Sequence, residues 1–361
     1  MTSRKKAIIN LLTREWLLLG SLAGLIISSL FLKGVPRITR ADIDILFLLF
    51  SLFVTVKGLE NSGFIKNVAL RLEGKSLVAL KLTLVTFFAS MIFTNDAALV
   101  VVVPITLGLK FKNTEALVIL ESLAANAGSA MTPFGNPQNL YIYWYYNIQP
   151  LTFFAAIAPF SIVFLIILIL CALYLSDRQH HSKTDSEGIF FGKRGLFYMA
   201  ANLVVILTIL KVLPLAAAMV LVLFILVFDP KCFKIDYGLL LTMLCFLGIS
   251  ENMKAIFQSI IEHSDHIFLL SSLSSQVISN VPAALLFAKF TSNWKALLWG
   301  TNVGGFGGLI GSLANLIAYK IYISSQEDVN VTAFTRKFVV ANYVFFTVGI
   351  MLFYLFKPYL Y

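Results

Sequence analysis

Asn126-Ala127-Gly128-Ser129-Ala130-Met131-Thr132-Pro133-Phe134-Gly135-Asn136-Pro137-Gln138-Asn139 interrupts an otherwise apolar run over residues 114–147. The run is long enough to cross a bilayer, because about twenty apolar residues do so as a helix. Its centre cannot stay helical. Pro133 and Pro137 lack a backbone donor, and Gly128 and Gly135 make non-helical backbone inexpensive. Polar groups at mid-bilayer depth persist only where protein or a water-filled cavity surrounds them. The segment reads as a helix broken near the midplane. Residues 294–322 repeat it, with Asn302-Val303-Gly304-Gly305-Phe306-Gly307-Gly308-Leu309-Ile310-Gly311-Ser312-Leu313-Ala314-Asn315 at their centre.

The two breaks align without a gap. An offset of 176 carries Asn126 onto Asn302, Gly128 onto Gly304, Gly135 onto Gly311, Asn139 onto Asn315 and Tyr143 onto Tyr319. Upstream of each break is an apolar stretch with a polar centre. Residues 76–109 contain Thr94-Asn95-Asp96, and residues 265–290 contain Ser279-Asn280-Val281-Pro282. Each reads as a re-entrant hairpin that turns at its polar tip. An offset of 185 carries Thr94 onto Ser279 and Asn95 onto Asn280. Ile43-Asp44 and Glu60-Asn61 are echoed by Ile235-Asp236 and Glu251-Asn252. The chain thus divides into a first repeat, 1–175, a cytoplasmic linking loop, 176–194, and a second repeat, 195–361.

Composition agrees with many membrane spans. Of 361 residues, 59% are hydrophobic and 13% charged, against about 45–50% and about 25% in soluble domains. Mean hydropathy is +0.87. The net charge of +10 sits in short loops between apolar runs, which orients membrane proteins and argues against a nucleic-acid partner. Cys171, Cys232 and Cys245 lie in or beside apolar runs without metal spacing, so they read as inert thiols. Gly74-Lys75-Ser76 lacks the upstream Gly of a phosphate-binding loop, because position 69 is Ala.

The remaining spans are expected near 15–33, 42–59, 150–175, 195–213, 214–228, 236–253 and 337–356. With the two breaks they make about 9 full spans plus 2 hairpins in an all-α polytopic membrane protein. Arg4, Lys5 and Lys6 place the N-terminus in the cytoplasm of a cell membrane. The first hairpin then opens inside, beside Lys75, Lys81, Lys110 and Lys112, and the second opens outside, near Glu262 and Asp265. The repeats come out inverted. Lys33, Arg37 and Arg40, on the expected outside, do not follow the charge rule.

Inverted repeats, broken helices and midplane polar residues together indicate a secondary transporter. Carbonyl and hydroxyl oxygens suit a hard cation such as Na⁺, and half-helix N-termini suit an anion. Candidate ion or substrate residues in the first half are Thr94, Asn95, Asp96, Asn126, Ser129, Thr132, Pro133, Gly135, Asn136 and Asn139. Those in the second are Ser279, Asn280, Asn302, Gly305, Gly311, Ser312 and Asn315. Thr94, Asn95, Thr132 and Asn136 are candidate Na⁺ ligands. Polarity is concentrated in the first half: Asp96 aligns with Val281, Thr132-Pro133 with Gly308-Leu309 and Glu121 with Leu297. An intramembrane carboxylate is costly unless it pairs, binds a cation or takes a proton. Asp96 is therefore the leading coupling residue, its plainer role being a cap on the helix after the tip. Glu121 is a second proton carrier or else a structural partner for Lys81 or a backbone group. Glu60 and Glu251 read as solvated or interfacial helix ends. The run Tyr141, Tyr143, Trp144, Tyr145, Tyr146 reads as an interfacial belt, and His180 and His181 as part of a solvated loop.

Phe93-Thr94-Asn95-Asp96-Ala97-Ala98, with Pro104 following, resembles the first hairpin of the ion transporter superfamily. Asn126-Ala127-Gly128-Ser129 and Thr132-Pro133-Phe134-Gly135-Asn136-Pro137-Gln138-Asn139-Leu140 are similar to its first broken helix. Ser279-Asn280-Val281-Pro282 and Gly311-Ser312-Leu313-Ala314-Asn315-Leu316 resemble the second copy. The superfamily includes citrate transporter-like proteins, divalent anion/sodium symporters, the arsenical pump membrane subunit and one group of sodium/proton antiporters. The resemblance implies a scaffold domain, a moving transport domain and a homodimer. Its arsenical-pump side raises a soluble ATPase as a partner. The Thr-Asn-Asp tip departs from the Ser-Asn-Thr of the dicarboxylate symporters and is closer to the arsenite-pump and antiporter branch.

The first reading is thus a secondary active transporter of an anion or oxyanion, of citrate-like carboxylate or arsenite type, coupled to Na⁺ or H⁺. The second is a sodium/proton antiporter using Asp96. No cofactor beyond the coupling ion is implied. A channel would carry a continuous polar stripe, and an enzyme a catalytic constellation. The sequence has neither, and His180, His181, His263 and His266 fall in loops or at helix ends.

Overall fold

The computed structural model describes residues 16–64, 77–109, 113–176, 192–261, 266–325 and 330–360. The N-terminal basic cluster, Lys75, Lys110, Lys112, Glu262, His263, Asp265 and nearly all of the linking loop, including His180 and His181, lie outside the described residues.

Among the described residues the chain forms fifteen α-helices and no strand. They are α1 (Trp16–Leu32), α2 (Arg40–Asn61), α3 (Val78–Phe93), α4 (Asn95–Gly108), α5 (Thr114–Ser129), α6 (Pro137–Tyr145), α7 (Pro150–Leu175) and α8 (Lys193–Ile209). There follow α9 (Leu215–Phe228), α10 (Tyr237–Ile261), α11 (Ile267–Ile278), α12 (Asn280–Ala288), α13 (Trp294–Gly304), α14 (Leu313–Ser325) and α15 (Val331–Leu360). A 3-10 turn, Pro230–Phe233, separates α9 from α10.

Local chemistry sets the boundaries. Thr39 and Asp42 form a capping box at the start of α2. Pro137 and Pro150 open α6 and α7 at positions whose N–H would have no helical acceptor. Only α7 and α15, among the described helices, are long and apolar enough to cross a membrane unaided. The tips and breaks shorten α3 to α6 and α11 to α14.

The exterior is apolar and the centre polar. Leu30, Phe31, Leu170, Val220, Leu223, Val227 and Phe228 are more than 60% exposed, whereas Asn126, Asn139, Asn302 and Asn315 are buried. This inverts the arrangement of a soluble protein and matches an outer surface that faces lipid. The molecule is a polytopic helical protein of the membrane type.

Helix pairing follows a reciprocal pattern. α3 packs on α5 and α11 on α13, while α4 crosses to α14 and α12 to α6. Outside these, α2 packs on α8 and α1 on α10. Two glycines at equivalent places permit close approaches between hairpin and broken helix. A Cβ on Gly128 would lie 2.2 Å from the Phe87 carbonyl oxygen and 2.5 Å from Ser90 Oγ, and one on Gly304 would lie 2.4 Å from Ser275 Oγ.

The aromatic run of α6 differs from the expected belt. Tyr141 and Tyr143 are fully buried, Trp144 donates to the Ile209 carbonyl at 2.9 Å, and Tyr146 donates to those of Ala288 and Thr291 at 2.7 Å. The reason is topological: α6 is wedged between α2, α12 and α13, so most of its rings pack inward, while Tyr145 stays exposed.

Candidate functional site

α3 and α4 are joined by the single residue Thr94, and α11 and α12 by Ser279. Thr94 has φ 110° and ψ 150°, and Ser279 φ 72° and ψ 157°. Residues with side chains avoid this region, and holding one there costs about 1–3 kcal/mol. Each strained tip is fixed by its own break: Asn95 N–H donates to the Gly135 carbonyl at 3.1 Å, and Asn280 N–H to that of Gly311 at 3.0 Å. Strain held at matching places by matching contacts is the pattern of a functional site rather than a packing accident.

Beneath the tips four asparagines tie the two halves together. Asn126 Nδ2 donates to Asn315 Oδ1 at 2.7 Å, and Asn302 Nδ2 to Asn139 Oδ1 at 2.8 Å. Asn139 Nδ2 also reaches the carbonyls of Ser129, Ala130 and Thr132, while Asn315 Nδ2 reaches those of Gly305 and Gly308. Ser312 Oγ donates to Asn126 Oδ1 at 3.0 Å, and Asn136 Nδ2 to Asn302 Oδ1 at 3.3 Å. The amides thus take up carbonyls that the breaks leave without helical partners. Gly305 serves through its carbonyl, which accepts from both Asn126 and Asn315.

Two adjoining cavities lie at the tips. The inner one, about 110 Å³, is lined by Asn95, Asp96, Gln138, Ser279, Asn280 and Ser312 among others. At roughly 10–15 Å³ per water-sized position it admits a small solute with several waters. The first turns of α4, α6, α10, α12 and α14 all border it. The outer cavity, about 180 Å³, has Lys57, Glu60, Thr94, Asp96, Lys234 and Asp236 on its walls. Asp96 and Asp236 line both and form the waist between them.

The cap at the start of α4 is Thr94, whose Oγ1 accepts from Ala97 N–H at 3.4 Å. Asp96 is therefore not the cap; its Oδ1 has no hydrogen-bond partner. Glu121 accepts a hydrogen bond from Thr106, and it makes no ion pair with Lys81 or any other described residue. Glu60 pairs with Lys57 at 2.8 Å, and Glu251 with Lys289 at 2.7 Å, so neither acid is simply solvated.

Thr132 and Pro133 stand apart from the cavities. The Thr132 hydroxyl donates to the Met91 carbonyl at 2.7 Å, a lock between break and hairpin. The second half makes the same lock in reverse. Gly308, the equivalent residue, has no side chain, so Gln276 on α11 reaches over: its Oε1 accepts from Gly308 N–H at 2.8 Å and its Nε2 donates to the carbonyls of Gly304 and Phe306 at 2.9 and 3.0 Å. Gln276, Gln138 and Asp236 were not singled out from sequence. The only signal for Gln276 is the absence of a side chain at Gly308. Gln276→Leu is expected to lower stability by about 2–3 kcal/mol, because three backbone groups lose partners, measured as a fall in the thermal unfolding midpoint in detergent. An unchanged midpoint would show that the break holds itself.

Residues 8–297 match the family described as citrate transporter. An uncharacterized transporter of Methanocaldococcus jannaschii is 36% identical over 287 residues, covering 76% of this chain and 80% of that protein. The inner membrane protein YbiR of Escherichia coli is 32% identical over 313 residues, covering 81% and 84%. A silicon efflux transporter of Oryza sativa subsp. japonica is 34% identical over 149 residues, covering 39% of this chain and 31% of that protein.

Proposed function

This chain belongs to the citrate transporter family, and on that premise we propose that it is a secondary active transporter of a small anion or oxyacid, driven by Na⁺ or H⁺. It is an integral membrane transporter and not an enzyme. The observation that carries the finer reading is the inner cavity, where five helix N-termini meet one unpaired carboxylate. A helix N-terminus carries roughly half a positive charge, and several converging on one cavity stabilise an anion or a polarised oxyacid. Asp96 then supplies the place where a coupling cation or proton offsets that solute's charge. Oxygens of Thr94, Asn95, Thr132 and Asn136 are the candidates for a Na⁺ shell, the Thr132 hydroxyl keeping its lone pairs while it donates to the Met91 carbonyl.

In this reading residues 1–175 and 195–361 are inverted repeats, each with a re-entrant hairpin and a broken helix. The N-terminus is cytoplasmic, and the outer cavity with Lys57 and Lys234 is the cytoplasmic mouth. The protein works as a homodimer in the cell membrane. A citrate-like carboxylate and an arsenite-type oxyacid both fit, and the rice relative named for silicon efflux adds silicic acid to the second class. Sodium/proton antiport is the alternative, favoured by the unpaired Oδ1 of Asp96.

The test is purified protein in liposomes with a trapped pH dye and clamped potential. Citrate, arsenite or silicic acid is supplied in turn, with Na⁺ alone as the comparison. Solute-dependent flux is expected. Proton flux driven by Na⁺ alone, with no solute moving, would replace this reading with the antiporter.

A further inference from the structure

Glu121 is fully buried on α5 and lines neither of the two cavities. The Thr106 hydroxyl of α4 donates to its Oε1, and its Oε2 has no partner. Thr83, fully buried on α3, which packs against α5, also has an unpartnered hydroxyl. The charged groups on elements packed against α5 are Lys81 on α3, Asp96 on α4, Lys320 on α14, and Arg336, Lys337 and Lys357 on α15. The titratable thiol Cys171 is on α7. None of them bonds Glu121, and Lys337 is committed to Glu115 at 2.9 Å.

The chain contains its own control. The offset of 176 places Leu297 at this position in the second half, where it is fully buried on α13. Packing there needs no carboxyl. An ionised carboxylate at a dry position costs several kcal/mol, and a Na⁺ ion would need a shell of oxygens where Thr106 alone is bonded. A proton needs no shell. The position also adjoins the link between halves: Ser122, the next residue, donates to Asn315 Oδ1 at 3.0 Å.

Resting on the transporter reading above, we propose that Glu121 is a proton-carrying site separate from the solute cavity. A proton bonded to Oε2 neutralises the carboxylate while Thr106 occupies Oε1 and the α4–α5 contact is closed. When that contact parts and water enters, the O–H bond breaks, the proton passes to water, and the carboxylate keeps the electron pair.

The experiment compares wild type with Glu121→Gln and Glu121→Leu in liposomes, using radiolabelled citrate, arsenite and silicic acid as probes. Two rates are read: exchange of probe across the membrane at equal pH, and net accumulation driven by a pH gradient. Both variants are expected to exchange within about twofold of wild type while gradient-driven accumulation falls roughly a hundredfold, the size of a lost proton-transfer group. The thermal midpoint is expected to hold or rise in Glu121→Leu, which copies the other half, so the test survives if Glu121→Gln fails to fold. Accumulation that still follows the pH gradient in both variants would overturn the proposal. So would loss of exchange in a folded variant, which would put Glu121 in solute binding, or wild-type accumulation that ignores the pH gradient. Absence of any solute flux in wild type would instead overturn the transporter reading itself.

Discussion

Asp96→Asn is expected to lower coupled solute flux roughly a hundredfold, a loss of about 2.7 kcal/mol at the rate-limiting step, with little change in folding. The two effects separate because of where the residue sits. A carboxylate in the first turn of α4 complements the helix dipole by about 0.3–1 kcal/mol, and Asn removes only that. The cap is Thr94, which the substitution does not touch. Asp96 borders both cavities, so any solute passing between them passes a carboxylate with a free oxygen. Asn keeps the shape and removes both the charge and the proton. Flux in liposomes and the thermal midpoint, measured on the same preparation, decide the matter. Unchanged flux with a midpoint lowered by one or two degrees would reduce Asp96 to a dipole partner.

The bends and breaks were legible because they rest on local backbone chemistry. Pro133 and Pro137 lack a donor and Gly135 frees the backbone, and the described helices stop within a few residues of them and of Thr94. The offset of 176 was legible for the same reason. What the sequence could not supply was partnership across the offset. Asn126 accepts from Asn95 of its own half at 3.5 Å but donates to Asn315 of the other at 2.7 Å, a link made by the way α5 and α14 pack. Thr132 reads in sequence as an ion ligand, and its donation to the Met91 carbonyl is a contact that no local pattern signals. Gln276 was invisible because its role depends on what Gly308 lacks, 32 residues away. Asp236 stands in the sequence only as part of the Ile235-Asp236 echo, and in the fold it accepts from Leu239 N–H at 3.0 Å. Only the folded chain brings it to the waist beside Asp96.

The pairs Asn126–Asn315 and Asn302–Asn139 carry the second large expectation. Each single Asn→Ala change is expected to cost about 2–4 kcal/mol, because it deprives two or more buried polar groups of a hydrogen bond, at about 1–3 kcal/mol per lost group. The double changes, Asn126→Ala with Asn315→Ala and Asn302→Ala with Asn139→Ala, are expected to cost less than the sum by about 1–2 kcal/mol, within the range for groups in one network. The logic is that the second deletion removes a partner already short of one bond. The two pairs occupy matching places, with amide-to-amide distances of 2.7 and 2.8 Å, so their coupling energies should agree closely. Unfolding of the four singles and two doubles in detergent measures them. Flux should fall in the singles before unfolding does, since the same amides hold the carbonyls that shape the tips. Coupling near zero in either pair would show that water satisfies these groups as readily as the opposite half does, and that the halves are held together by helix packing alone.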